Sequence, residues 1–281
     1  MEIKIVERVK TADLDFVKFV IEDISQEMAN ALRRIILTEV PTIAIKEVMF
    51  MENDSPLYDE MIAHRLGLIP LITDLENYNL PKECECGGSG CTLCQAMFEL
   101  KIMECATKTL VTSKILESSD PQIKPVSEDA VICKLGEGSS LHFEAYAQLG
   151  KGRDHAKFQP VAAIGFKPLP EVTINTDLCK DCTHEFIASR RCHRNLFQIS
   201  DVPELIKDYW KDCSLCRACE NYCPEGAIKV SWAKRKFVFS MEGTGVLELK
   251  EILTQAAKIF EEKVNEFELK FESLETLETI Q

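Results

Sequence analysis

Of the 13 cysteines in this chain of 281 residues, 11 fall into three close groups. The densest is Cys213-Ser214-Leu215-Cys216-Arg217-Ala218-Cys219-Glu220-Asn221-Tyr222-Cys223-Pro224, a C-x2-C-x2-C-x3-C-P run. Its two-residue gaps wrap three thiolates round one face of an iron–sulfur cubane, and the fourth turns away towards a second site. A mononuclear zinc site would instead favour two separated Cys-x2-Cys pairs. Upstream, Cys179-Lys180-Asp181-Cys182 is followed by Cys192, with Glu185 and Ser189 standing where a second copy of the run would place cysteines. If the last cysteine of each half crosses to the other site, Cys192 joins Cys213, Cys216 and Cys219, which predicts one [4Fe–4S] cluster. Cys179, Cys182 and Cys223 remain. They could hold a [3Fe–4S] cluster, a cubane completed by His184 or Glu185, or a disulfide with a spare thiol. His193, beside Cys192, is read as a neighbour of the site and not as a ligand.

The third group is Cys84-Glu85-Cys86-Gly87-Gly88-Ser89-Gly90-Cys91-Thr92-Leu93-Cys94. Two close pairs around a glycine-rich knuckle suit tetrahedral Zn²⁺, because glycine lets the backbone turn tightly about the metal. An iron–sulfur centre or a redox disulfide are the alternatives there. Cys105 and Cys133 lie in β-like runs and are read as buried apolar residues. No glycine-rich phosphate loop, nucleophile–base pair or Asp-x-Asp magnesium site stands out, and the five scattered histidines are read as structural. The chain's own chemistry is therefore predicted to stop at its metals.

The elements that must carry these groups alternate in character. Ile3–Val9 and Leu14–Ile21 read as strands about a polar turn, and a helix follows Ser25 with Met28, Leu32, Ile35 and Ile36 on one face. Pro41 should end that helix near Val40, before a strand over Ile43–Phe50. Residues 51–172 hold short β-like runs, among them Met97–Met103, Val131–Lys134 and Leu141–Ala147. Residues 173–226 carry seven of the cysteines and little aliphatic material, so ligands must staple them. Two further strands, Ala227–Trp232 and Lys236–Met241, lead to a long helix whose apolar stripe runs from Leu249 through Phe260, Phe267 and Phe271 to Leu274. Seven turns of stripe, about 40 Å at 1.5 Å per residue, exceed what one small sheet can cover and predict a subunit interface.

Composition narrows the partners. With 46 acidic and 33 basic residues the formal charge is −13, which argues against a broad phosphate-binding surface and for little or no direct DNA contact. No apolar run is long enough to span a membrane, and the strand-like N-terminus does not read as a secretory signal. A cytoplasmic protein with metal-bound rather than disulfide-bonded cysteines is expected.

Two segments free of cysteine carry a resemblance. Met28-Ala29-Asn30-Ala31-Leu32-Arg33-Arg34-Ile35-Ile36, followed by Pro41, resembles the dimerisation helix of the bacterial α subunit of RNA polymerase. His64-Arg65-Leu66-Gly67-Leu68-Ile69-Pro70 resembles the motif at that family's insert domain. The cysteine run resembles bacterial-type ferredoxins, and the Cys84–Cys94 loop resembles the zinc loop of the third-largest eukaryotic polymerase II subunit. Together they narrow the resemblance to the archaeal α-type assembly subunits of DNA-directed RNA polymerase, a family from whose pattern the degenerate upstream ferredoxin half departs. The resemblance implies an α+β fold in three parts: a discontinuous dimerisation domain (1–46 plus 227–281), an inserted β-rich domain with the zinc-like loop (47–172), and an inserted ferredoxin-like iron–sulfur mini-domain (173–226). It further implies a non-catalytic scaffold that pairs with the small α-like subunit L. The second-largest and largest subunits, and other small assembly subunits, would join that pair. Leu32, Arg33, Arg34, Ile35, Ile36, Phe260, Phe267 and Phe271 become the expected interface, with Arg65 a further candidate for contacts across it. A ferredoxin-type electron-transfer subunit of an oxidoreductase is the alternative. It leaves both cysteine-free segments and the long helix unexplained.

Overall fold

Residues 1–11, 14–178, 191–198, 204–223 and 225–278 are described in a computed structural model, with side chains of the last helix described to Phe271. The expectations for Cys179, Cys182, His184, Glu185 and Leu274 lie outside the described residues or side chains. The chain forms two compact units: Met1–Arg8, Lys18–Asn30 and Gly165–Ser240 make the first, and Val9–Val17, Ala31–Ile164 and Met241–Gln281 the second. Several elements run continuously from one unit into the other.

The sheet of the first unit arises from alternating apolar residues in β1 (Glu2–Lys10), β2 (Asp15–Glu22), β9 (Val161–Ile174) and β12 (Ile228–Gly243), in the order β1-β2-β12-β9. Four phenylalanines knit its centre: Phe19 stacks on Phe239 at 5.3 Å, and Phe166 meets both Phe239 (5.3 Å) and Phe237 (5.6 Å). Such pairs add about 0.5–1.5 kcal/mol each beyond the area they bury. β12 corrects an expectation, because the two runs expected about residue 233 are one strand. Lys234-Arg235 lacks turn-forming residues. Arg235 alone adopts φ 60°, held by Asp23 through a 2.9 Å ion pair and by Ile24, whose N–H donates to the Arg235 carbonyl.

Helix α1 (Gln26–Thr38) opens as expected, with the Ser25 hydroxyl accepting from the Met28 N–H at 3.3 Å. β3 (Pro41–Asn53) begins at the proline. In the second unit β3 pairs antiparallel with β8 (Leu141–Lys151), from Pro41 opposite Lys151 to Asn53 opposite Leu141. β8 then pairs with β4 (Gln95–Ile102), and β4 with β6 (Glu117–Ser118). A register shift between Ile45 and Glu47 lets Ile43, Ile45, Val48 and Phe50 all reach one core. Helix α2 (Asp59–Gly67) adds Ile62 and Leu66 to that core, and β5 (Thr109–Thr112) with β7 (Val131–Leu135) forms a second ribbon. Cys133 and Cys105 are buried there, the first on β7 and the second in the turn after β4.

Glu39, just past α1, is nearly buried (side chain 12% exposed) and collects three cations: Lys263 at 3.3 Å, Arg153 at 3.4 Å and Lys151 at 3.8 Å. Gly152 lies so close to the end of α1 that a Cβ there would stand 2.0 Å from the Leu37 carbonyl oxygen, so only glycine fits. Lys263 belongs to α4 (Leu249–Glu278), whose first turns bury Leu249, Ile252 and Ala256. Among the described residues no helix is long and apolar enough to cross a membrane.

Short elements β10 (Phe197–Gln198), β11 (Glu204–Leu205) and α3 (Ala218–Asn221) lie between β9 and β12. The chain leaves and re-enters the sheet at neighbouring points, where the Asn175 N–H donates to the Ala227 carbonyl at 2.8 Å.

Candidate metal centres

The knuckle in the second unit brings Cys84, Cys86, Cys91 and Cys94 together with every pair of sulfurs within 4.8 Å. Sγ–Sγ separations are 3.5 Å for Cys84–Cys86, Cys84–Cys91 and Cys86–Cys94, and 3.8 Å for Cys91–Cys94. Four thiolates bound tetrahedrally at about 2.3 Å stand about 3.8 Å apart, so the set fits one Zn²⁺. The backbone is shaped for it. Gly87, Gly88 and Gly90 take φ of 65°, 85° and 90°, and the N–H groups of Gly87 and Cys94 close turns onto the Cys84 and Cys91 carbonyls. The sulfurs share their protons unequally. The Cys86 pKa is lowered to about 5 by the Cys84 thiol beside it and next by the Cys91 N–H. That of Cys94 is raised, first by burial, and that of Cys84, against the pull of the Cys86 N–H, is raised by the Cys86 and Cys91 thiols.

The Gln95 N–H at the start of β4 donates to the Cys91 carbonyl at 2.9 Å, and a polar relay runs from Gln95 across the sheet. Gln148 donates to Gln95 at 3.0 Å, and Lys46 donates to the Gln148 amide oxygen at 3.2 Å. Cys94→Ser, which removes a fully buried sulfur, should leave the purified chain without zinc. It should also lower the melting temperature by roughly 10 °C, the consequence of losing about 3–5 kcal/mol in a domain of this size. Elemental analysis with differential scanning calorimetry checks both, and an unchanged metal content would remove zinc from this site.

The second centre lies in the first unit. Cys192, Cys213, Cys216 and Cys219 all line one cavity, whose apolar walls include Val172, Leu196, Leu205 and Val230. Burial pushes the Cys219 thiol up to about 11. Leu215 and Arg217 between the ligands adopt φ of 57°, a left-handed geometry costing roughly 1–2 kcal/mol per residue that aims successive thiolates inward. An apolar cavity lined by four cysteines has the donor set of a cubane cluster. Cys223 is not among its walls, and its sulfur instead accepts from the Ala227 N–H at 3.3 Å.

Behind this cavity stands a residue that sequence reasoning missed. Lys167 on β9 donates through Nζ to the carbonyls of Lys211 (2.9 Å) and Cys213 (2.6 Å). Burial lowers its pKa, opposed by the nearby Cys213 thiolate. Its only trace in the sequence is a lone cation inside the apolar run Ile164-Gly165-Phe166-Lys167-Pro168-Leu169.

The expected interface residues divide. Ile35 and Ile36 are buried within the chain, 7% and 0% exposed. Arg65 donates to the Ile132 carbonyl at 3.0 Å within the second unit and is otherwise exposed. Leu32, Arg33 and Phe260 are half-buried, and Arg34 is exposed. Phe267 and Phe271 are 68% and 53% exposed and stack on each other at 6.3 Å, one turn from exposed Val264 on the same helix face.

Comparison with known proteins follows this division. Residues 43–165 match the model of the RNA polymerase Rpb3/RpoA insert domain, and residues 206–229 match that of a 4Fe-4S binding domain. The chain is similar to proteins named DNA-directed RNA polymerase subunit Rpo3. That of Methanosphaera stadtmanae is 39% identical over 88% of this chain and 91% of its own length, and that of Methanosarcina mazei 40% over 89% and 91%. The Thermococcus kodakarensis protein is 38% identical over 90% and 92%.

Proposed function

The chain belongs to the family of archaeal DNA-directed RNA polymerase subunit Rpo3, and from that premise we propose that it is the non-catalytic assembly platform of the enzyme. In this reading residues 1–46 and 227–281 form the dimerisation domain and pair with the small α-like subunit L in the cytoplasm. The second-largest and largest subunits and the other small subunits then assemble on that pair, and they supply the nucleotidyl transfer. The observation that carries this reading is the bare half of α4. Its first turns are covered, yet Val264, Phe267 and Phe271 stand open on one face of the helix, and large exposed apolar residues in contiguous array mark an interaction surface.

The iron–sulfur cluster, held by Cys192, Cys213, Cys216 and Cys219, supplies a rigid node where aliphatic core is scarce, and zinc at Cys84–Cys94 serves the insert domain in the same way. Cys179, Cys182 and Cys223 stay a candidate second site. Similarity along about nine-tenths of each relative's length favours the polymerase over the electron-transfer reading.

Anaerobic affinity purification of the tagged chain from its host tests the proposal. A small α-like partner and two subunits above roughly 100 kDa are expected in the mass spectrum. Flavin or molybdenum enzyme subunits in their place would overturn it.

A further inference from the structure

The loop that presents Cys213 is gripped from the sheet by three separate contacts. Lys167 holds the carbonyls on either side of Asp212, those of Lys211 and Cys213. Lys18 on β2, whose side chain is only 16% exposed, lies 3.6 Å from the Asp212 carboxylate and 3.2 Å from Glu7. Four residues before Cys213, the Tyr209 hydroxyl accepts the Val172 N–H at 3.1 Å. A lysine on a sheet normally runs its stem over apolar surface and puts its ammonium in water. Lys167 instead spends two of its three donors on the backbone that delivers one thiolate.

We propose that Lys167 is the positioning residue of the iron–sulfur site: it fixes Cys213 to strand β9 and sets its ammonium against that ligand's own carbonyl. This rests on the reading of the cavity as a [4Fe–4S] site. Two physical consequences follow. Without the clasp, the left-handed residues Leu215 and Arg217 have less to hold them, so the ligand loop relaxes and the cluster is lost sooner. Four thiolates leave such a cluster with net negative charge, and reduction adds another electron. A nearby cation favours the reduced form, so its removal makes the midpoint potential more negative.

The experiment uses the assembled polymerase purified anaerobically, carrying wild-type chain, Lys167→Met or Lys167→Arg. Midpoint potential is read by titration followed with electron paramagnetic resonance, and cluster lifetime by bleaching of visible absorption in air. Lys167→Met, which removes both hydrogen bonds, is expected to bleach at least about tenfold faster, the factor that about 1.4 kcal/mol represents. Its potential should fall. Lys167→Arg keeps the charge and should retain the wild-type potential even where its larger head loosens the loop. Faster bleaching with equal potentials in all three proteins would reduce Lys167 to a packing role and overturn the proposal, as would Lys167→Met matching wild type in both readings. Absence of any iron–sulfur signal from the wild-type complex would instead overturn the cluster reading on which the proposal stands.

Discussion

Chain carrying Cys213→Ser, purified under argon, is expected to hold no [4Fe–4S] cluster and to recover less than a tenth of the normal amount of the two large subunits. Pairing with the small α-like partner should largely survive. The asymmetry follows from where the contacts lie. Cys213 lines the cavity with Cys192, Cys216 and Cys219, and its serine replacement removes one of four soft ligands. The surrounding residues form only two-residue strands and a four-residue helix, too little regular structure to persist without a cross-link. The exposed end of α4 belongs to the other compact unit and keeps its aromatic pair. Iron analysis and quantitative mass spectrometry of the affinity-purified complex report both halves of the prediction. Normal recovery of the large subunits with an iron-free chain would sink the structural role of the cluster.

A second large effect is expected at the other unit. Phe267→Glu combined with Phe271→Glu should abolish co-purification of the small partner, weakening pairing by at least about a hundredfold. Buried aromatic anchors commonly contribute 2 kcal/mol or more each to an interface, and a carboxylate in their place adds the penalty of desolvating a charge. The isolated chain should be indifferent, because both rings point away from its own core. Circular dichroism and thermal unfolding of the double variant should therefore match wild type. A chain that unfolds would show that the rings are needed within the subunit and would remove them from the interface.

Local chemistry made much of this legible from residue order. The knuckle's four cysteines could be grouped because short-range spacing decides which thiols can meet, and glycines at 87, 88 and 90 announced the turns. The Ser25 cap, the strand from Pro41 and the long final helix were likewise readable, since each rests on signals within a few residues. What escaped depends on distant parts of the chain. Periodicity showed that Ile35 and Ile36 were apolar but not that the folded chain itself buries them. Arg235 bends β12 without a turn because Asp23, 212 residues away, holds it there. Lys167 and Glu39 look like ordinary charged residues until folding brings carbonyls 44 and 46 residues distant to one and three cations to the other.

The bond between Asn175 and Ala227 at the base of the cysteine-rich segment bears on how strongly that segment can hold metal. A free chain of about 50 residues would lose roughly 3.5 kcal/mol of entropy when its ends are brought together. Here the sheet has already imposed that restriction before any iron arrives. Assembly of the cluster need only order the interior of a closed loop, a gain of about 300-fold in apparent affinity over the same residues excised as a peptide. The linkage runs both ways: a sheet that loosens at this base surrenders that advantage, so the metal content of the subunit becomes a gauge of whether its strands are properly made.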